Sequence, residues 1–201
     1  SNGYSDFDFR DPKVFWNEET GSYWMLITSR YNGQAAIGLY TSDNLVTWDP
    51  QEPLFTMDSP LNLEVPDWID FGDNQFMLFS DQNDGERDIK YLQQTSAGWE
   101  LADYASLDGK FYYAGRTASS EDVTLMFGWI PHKVTRTNAG TGTFGGDLAI
   151  HQLESTASGE LAVKMPDAYK AEFAADIGTE IQSQEGAVSG VSPILLMSSS
   201  A

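Results

Sequence analysis

Short β-rich runs recur along this chain in sets of four, and this repetition limits its possible folds more than any other feature. In the first set the runs are separated by turns at 17–21, 31–33 and 42–44. Gly, Asn, Asp and Pro occupy such turns, while helix signals are weak. The predicted strands of the three sets are Lys13–Trp16, Tyr23–Ser29, Ala35–Thr41 and Val46–Trp48; Trp68–Phe71, Gln75–Ser80, Ile89–Thr95 and Trp99–Leu101; and Lys110–Arg116, Val123–Ile130, Asp147–Leu153 and Glu160–Lys164.

A four-strand unit that repeats every ~40–50 residues is typical of β-propeller blades. Trp48 and Trp99 are predicted to close equivalent fourth strands. A generic β-sandwich is the alternative, but the repetition of whole sets favours an all-β fold, a β-propeller, with about three four-stranded blades over residues 1–165. Propellers have at least about four blades, so we expect an upstream propeller segment to complete the ring. Residues 166–201 are predicted to be a linker or the start of a following domain, with 167–175 either a short helix or part of the linker.

The composition excludes several classes of partner and site. Asp and Glu number 30 against 11 Lys and Arg, giving a net charge of −19. Such a chain repels phosphate backbones and anionic membrane surfaces, so we expect no nucleic acid partner, whereas neutral sugars are unaffected. No apolar run approaches the ~18–20 residues of a membrane span. Cysteine is absent, and His132 and His151 lack a partner set for a metal ion, so we expect no metal and no cofactor. Arg116 and Lys133 are expected at the surface or in ion pairs, with contact to a substrate as the alternative.

Two carboxylates are prominent by their position. Asp11 lies in Phe9–Pro12, at the start of the first inner strand, and Glu64 lies in Leu63–Asp67, at the matching place in the second set. The innermost strands of a propeller line its central channel, so both side chains are predicted to face one funnel. Paired acids in such a place suit glycoside hydrolysis, in which one acid protonates the leaving oxygen. The alternative is that each acid is a turn or strand-cap residue, but their equivalent place in successive blades weighs against it.

The sequences around both acids resemble the motifs of a known enzyme family. Phe9–Trp16 is similar to the Arg-Asp-Pro motif of glycoside hydrolase family 32, the β-fructosidases (invertases, inulinases and levanases), and Glu64–Asp67 resembles its Glu-Cys-Pro-Asp motif. The 53 positions between Asp11 and Glu64 match the family's spacing. Supporting similarities lie in Gly38–Ser42 with Trp48, Phe111–Ala114, Phe127–Ile130 and Gly145–Leu148. The resemblance covers roughly residues 5–165, and the same clan includes family 43.

The resemblance implies a five-bladed propeller and retaining hydrolysis of fructosyl or related oligo- and polysaccharide linkages. It assigns roles along the chain: Glu64 as the general acid/base, Asp11 as the transition-state stabiliser, Arg10 as a holder of these carboxylates or of the sugar, Asp67 in hydroxyl binding or at the strand start, and Tyr113 and Trp129 as pocket walls. Val65 stands where the family has cysteine, a small apolar exchange.

The family's nucleophile is the Asp of a Trp-Met-Asn-Asp-Pro-Asn-Gly motif, which no segment of this chain matches. We therefore expect that motif on upstream blades, and we expect the present chain alone to be inactive. The resemblance also leaves room for a C-terminal β-sandwich, and it implies a secreted, periplasmic or cell-surface protein. Two other classes stay open on sequence grounds: a non-catalytic carbohydrate-binding propeller and a structural β-domain.

Overall fold

The computed structural model describes residues 2–82, 87–109, 111–134 and 142–177. Within them, thirteen strands form three antiparallel sheets, and one helix follows. The elements are β1 (Arg10–Asn17), β2 (Ser22–Tyr31), β3 (Gln34–Ser42), β4 (Asp49–Pro50), β5 (Phe55–Met57), β6 (Leu63–Asp70), β7 (Gln75–Asp81), β8 (Asp88–Thr95), β9 (Gly98–Ser106), β10 (Tyr113–Ser119), β11 (Thr124–Lys133), β12 (Gly142–Ser155), β13 (Leu161–Lys164) and α1 (Asp167–Ile177).

Each sheet is a meander in which strands pair in chain order. β1 to β4 form blade 1, with β5 paired to β3; β6 to β9 form blade 2, and β10 to β13 form blade 3. The first strands of the blades lie side by side, since Arg116 of β10 donates a hydrogen bond to the Asp11 carbonyl of β1 at 2.9 Å and to the Pro66 carbonyl of β6 at 2.7 Å. The prediction of three separate antiparallel blades with adjacent inner strands is confirmed.

The fourth strand of blade 1 differs from its prediction. Val46–Trp48 is not a strand, because the Asn44 side chain accepts hydrogen bonds from the Val46 and Thr47 amides and holds the chain in a bend. The strand comes later, at Asp49–Pro50, and Phe55–Met57 adds a second pairing along β3. Trp48 therefore does not close a strand, whereas Trp99 does lie in β9 as predicted.

The limits of several other elements also differ. β6 begins at Leu63, ahead of the predicted start at Trp68, because the strand continues through an irregularity near its beginning. Of the predicted loop at 135–146, residues 135–141 lie outside the described residues and the rest belongs to β12. Helix α1 agrees with the helical interpretation of 167–175, and the proposed domain division near residue 165 stays a prediction. No helix in the described part of the chain is long and apolar enough to cross a membrane.

Blade 2 is buried on both faces, which explains its uninterrupted apolar run Phe76–Phe79. Successive side chains of a strand point to opposite faces. Met77 and Phe79 pack with blade 1 in a cluster that also contains Leu26, Ile37, Leu39 and Leu92. Phe76 and Leu78 pack with blade 3 in a cluster that also contains Ile69, Ile89, Tyr91, Tyr112 and Met126. These two interfaces hold the inner strands, and the acids on them, in fixed relation to one another.

Candidate active site

The same backbone irregularity occurs near the start of each inner strand. The pairing with the second strand of the blade shifts register over Arg10–Lys13, Glu64–Asp67 and Tyr113–Arg116. The second residue of each span is left-handed, with φ of 58° at Asp11, 52° at Val65 and 56° at Ala114. A β-bulge inserts an extra residue and redirects the neighbouring side chains. Each blade therefore presents its first and fourth bulge residues toward its neighbours.

The bulges correct the sequence alignment of the two acids by one position. Asp11 is equivalent to Val65, and Glu64 is equivalent to Arg10, because Pro12 and Pro66 both take the third place of their bulges. The sequence predicted that the two acids hold equivalent positions, but Asp11 is the second residue of the blade 1 bulge and Glu64 is the first residue of the blade 2 bulge. Their side chains nevertheless reach the same place, where both contact Arg10.

The first residues of the three bulges converge on one carboxylate. Arg10 donates to Glu64 Oε1 from Nη2 at 2.5 Å and from Nε at 3.2 Å. The Tyr113 hydroxyl donates to Glu64 Oε2. The Glu64 side chain retains 13% exposure. Glu64 of blade 2 is thus held from blade 1 on one oxygen and from blade 3 on the other, and its side chain keeps a small exposed part.

Asp11 lies beside the Glu64 carboxylate and contacts the same arginine, Arg10. Asp11 Oδ2 accepts hydrogen bonds from the Thr28 hydroxyl at 3.1 Å and from the Val65 amide at 3.2 Å. Arg10 Nε is 3.8 Å from the same oxygen. Because one nitrogen of Arg10 contacts both Asp11 and Glu64, the two carboxylates face the same space, as the sequence predicted.

The environment keeps both donors to Glu64 protonated. Burial opposes the charge of Arg10, but its hydrogen bonds to Glu64 and Asp8 and the charges of Glu64 and Asp11 outweigh burial and raise its pKa. Burial is the main cause that raises the pKa of Tyr113 far above its usual value, and the hydrogen bond to Glu64 and its charge add to the effect. Tyr113 therefore keeps its proton at neutral pH and donates it to Glu64 in a hydrogen bond.

Asp67 is enclosed by contacts near the start of β6. Its side chain has no exposed surface and forms an ion pair with Lys13 Nζ at 2.5 Å. Its oxygens accept hydrogen bonds from the Trp68 amide at 2.8 Å, the Thr117 amide at 2.6 Å and the Thr117 hydroxyl at 3.0 Å. This enclosure favours the strand-start alternative over hydroxyl binding. Asp67 links the inner strands of all three blades.

Arg116 takes neither the surface role nor the ion pair expected of it. As the fourth residue of its bulge, it donates to the carbonyls of Asp11 and Pro66, which belong to the bulges of the other two blades. Lys13, Asp67 and Arg116 hold the same bulge position in the three blades. Sequence reasoning missed the roles of Lys13 and Arg116, and aligning the bulges on Pro12 and Pro66 would have found Lys13.

The predicted pocket walls adjoin Glu64 through Tyr113. The Trp129 ring centroid is 5.5 Å from that of Tyr113, and the Phe144 ring is 5.5 Å from that of Trp129. The Arg87 guanidinium carbon lies 5.6 Å from both the Tyr113 and the Phe144 centroids. Trp129 thus packs beside the residue that donates to Glu64, and its role as a pocket wall stays a prediction; Arg87 and Phe144 are neighbours that the sequence did not indicate.

Other features of the described residues lie apart from these acids. An open cleft of about 470 Å³ is lined by Tyr4, Phe9 and Tyr40 among others, without Glu64. The described residues contain no group of three or more His, Asp or Glu side chains that could hold a metal ion. His132 pairs with Asp147 at 2.8 Å, and His151 pairs with Asp108 at 2.7 Å.

The fold and the site define a class of protein: a β-propeller with two carboxylates, Glu64 and Asp11, at the shared end of its inner strands, as glycoside hydrolases have. The family model described as "Glycosyl hydrolases family 32 N-terminal domain" matches residues 2–153. The chain belongs to glycoside hydrolase family 32.

Its similarity to individual relatives is moderate. It is 26% identical over 139 residues to the sucrose-6-phosphate hydrolase of Escherichia coli, covering 61% of this chain and 29% of that protein. A β-fructofuranosidase of Bombyx mori in complex with sucrose superposes with a TM-score of 0.62 at 22% identity, covering 82% of this chain and 38% of that one. Fructan 1-exohydrolase IIa of Cichorium intybus superposes with a TM-score of 0.66 at 16% identity, covering 85% and 37%. The chain therefore spans well under half the length of these relatives.

Proposed function

We propose that the protein containing this chain hydrolyses fructosyl bonds with retention of configuration, with Glu64 as the general acid/base and Asp11 as the transition-state stabiliser. The observation that carries the proposal is the arrangement of Glu64 between Arg10 and Tyr113, with Asp11 on the same guanidinium. The relatives named for sucrose-6-phosphate, fructofuranosides and fructans have a fructosyl unit in common, which supports that unit as the part of the substrate that the site holds.

The proposed reaction assigns one proton transfer in each direction to Glu64. In the first step Glu64 gives its proton to the oxygen of the leaving sugar while a carboxylate attacks the anomeric carbon and forms the fructosyl-enzyme ester. In the second step Glu64 takes a proton from water, and the hydroxide replaces the ester. Asp11 accepts hydrogen bonds from the fructosyl hydroxyls, which strengthen as positive charge develops in the transition state. Arg10 orients both acids with its planar donors.

The nucleophilic carboxylate in this proposal comes from a propeller segment outside the 201 residues. The chain's short coverage of its relatives supports this division of the site. Asp11 is not proposed as the nucleophile, because its Oδ2 already accepts the Thr28 hydroxyl and the Val65 amide and the resemblance assigns it the stabilising role.

Exchange of the acid in the full-length protein tests the proposal. Glu64→Gln keeps the shape and an acceptor for Arg10 but has no proton to transfer, so kcat for sucrose, inulin or levan should fall ~10²- to 10⁴-fold with a nearly unchanged sugar affinity. Glu121→Gln, at an exposed turn of blade 3, is the matched control and should keep full turnover. Undiminished turnover by Glu64→Gln would remove Glu64 from the role. Fructoside binding without any hydrolysis by the unaltered protein would favour the carbohydrate-binding alternative.

A further inference from the structure

The blade 3 side of Glu64 carries a connected group of aromatic rings around an arginine, which we call the aromatic platform: Arg87, Tyr113, Trp129 and Phe144. Each neighbouring pair of rings lies 5.5 Å apart, and the Arg87 guanidinium carbon lies 5.6 Å from the Tyr113 and Phe144 rings. Tyr113 joins the platform to the acid through its hydrogen bond to Glu64 Oε2. The platform therefore begins within one hydrogen bond of the reacting proton.

The outer end of the platform has the exposure of a binding surface, whereas Tyr113 at its inner end is buried. Phe144 is 84% exposed, although a ring gains stability by leaving water. Contiguous exposed apolar surface rimmed by polar groups is typical of ligand grooves. In ligand sites, aromatic walls are combined with a few polar groups that fix orientation. The platform has both the aromatic rings and a polar group, Arg87. Burial within the described fold does not explain why a phenylalanine stands at position 144.

The contacts of Arg87 with described residues are made to aromatic rings. Within the described part of the chain, its guanidinium contacts two rings and no carboxylate. The other described arginines are engaged: Arg10 binds carboxylates, whereas Arg30 and Arg116 donate to backbone carbonyls. A guanidinium that lies over aromatic faces keeps its N–H edge free for hydrogen bonds.

The local sequence of β12 supports the placement of Phe144. Gly145 has a φ of +82°, a conformation that other residues rarely adopt. A Cβ on Gly146 would lie 1.9 Å from the carbonyl oxygen of Ile130 in β11, so only glycine fits. The two glycines directly follow Phe144 and allow β12 to lie close to β11. Strand β11 carries Trp129.

The two oxygens of Glu64 separate the two halves of a bound substrate. Oε1 faces Arg10, which also contacts Asp11, and Oε2 faces Tyr113. A general acid lies beside the glycosidic oxygen, which joins the two sugars that the reaction separates. If the fructosyl unit lies against Asp11, the sugar on the other side of that oxygen lies toward Tyr113 and the platform.

We propose that the aromatic platform is the subsite for the leaving sugar, with Trp129 and Phe144 against the C–H face of its ring and Arg87 donating hydrogen bonds to its hydroxyls. This proposal rests on the proposed function. The ligand class is a neutral pyranose or furanose ring.

A pair of substrates that differ only in the leaving group tests the platform in the full-length protein. Sucrose releases a sugar ring, whereas methyl β-D-fructofuranoside releases methanol. Arg87→Gln and Phe144→Ala should lower kcat/KM for sucrose about 10- to 100-fold, the loss of a charge-assisted hydrogen bond or a ring contact. For the methyl fructoside both variants should stay within about twofold of the unaltered protein. Val46→Ala, at an 80% exposed position of blade 1, is the control and should change neither substrate.

Equal losses on both substrates, or no loss on sucrose, would overturn the platform. A binding measurement separates its failure from that of the hydrolytic proposal. The affinity of the Glu64→Gln variant for sucrose is measured by titration calorimetry. Adding Phe144→Ala to this variant should weaken that affinity about tenfold. If the unaltered protein hydrolyses neither substrate but this weakening is observed, hydrolysis is wrong and the platform stands. If sucrose binds equally with and without Phe144, or does not bind, the platform is wrong.

Discussion

The buried carboxylate of Asp67 offers the sharpest test of how the three blades are joined. Asp67→Ala removes the partner of Lys13 and the acceptor for the amides of Trp68 and Thr117 and for the Thr117 hydroxyl. A buried donor left without an acceptor costs ~1–3 kcal/mol. The sum of these costs over the donors is an upper limit for the loss in the free energy of unfolding. The hydroxyl can rotate to another acceptor and Lys13 keeps some exposure, so we expect a loss of ~3–5 kcal/mol in the free energy of unfolding, as when one partner of a buried pair is removed.

The assay is urea unfolding at neutral pH, followed by the fluorescence of the tryptophans, with a double-mutant cycle. Asp67→Asn keeps an oxygen for Thr117 but loses the charge, so its loss should be roughly half that of Asp67→Ala, since charge-assisted hydrogen bonds are about twice as strong as neutral ones. Lys13→Met combined with Asp67→Asn should give a coupling energy of ~1–3 kcal/mol, in the range found for residues that share one network. The control Asp103→Asn, at an exposed position of β9, should change stability by less than about 0.5 kcal/mol.

A loss below about 1 kcal/mol for Asp67→Ala, the size of an ordinary substitution, would refute the reasoning. The kinetics of the full-length protein provide a second discriminator. A strand-linking Asp67 predicts that Asp67→Asn keeps its KM for sucrose, whereas a sugar-binding Asp67 would raise that KM.

Two further predictions concern single contacts between elements. Arg116→Met should lower kcat in the full-length protein because the carbonyls of Asp11 and Pro66 lose their shared donor. Arg116→Lys should recover part of this kcat. Equal rates for both variants would contradict the role of the planar guanidinium of Arg116. Burial tends to raise the pKa of Asp108, but hydrogen bonds from His151 and the Gly109 amide and the charge of His151 outweigh burial and lower it. This pair should therefore stabilise the fold above about pH 4 and lose its effect as the pH falls through the lowered pKa, so His151→Gln should reduce the difference in urea midpoint between pH 6 and pH 3.

The strand pattern was predictable because local signals decide it. Hairpin turns and apolar runs are encoded within a few residues, and the middle and last strands of blades 2 and 3 follow them. The fourth strand of blade 1 was not predictable in this way, because the Asn44 side chain competes for the amides of Val46 and Thr47 and delays the strand to Asp49–Pro50. A side chain that binds nearby backbone can displace regular structure from a run that otherwise favours it.

The candidate site was predictable in part for a different reason. Asp11, Glu64 and Arg10 were found through short motifs, and Tyr113 through its aromatic strand. The role of Asp67 and the donors around the acids depend on contacts between blades, which no local pattern encodes. Arg87 reaches Tyr113 from the position just before β8 of blade 2, and nothing in its own neighbourhood marks it for that contact.

The repeated bulges imply a limit on how this site could be transplanted. A single blade lifted from the chain would keep its meander and its left-handed kink, yet Glu64 would lose Arg10 and Tyr113, and Asp67 would lose Lys13 and Thr117. The smallest graft that preserves the local surroundings of Glu64 is therefore three consecutive blades inserted as one block. Shuffling one blade at a time between related propellers would instead have to exchange the first and fourth bulge positions of its neighbours together.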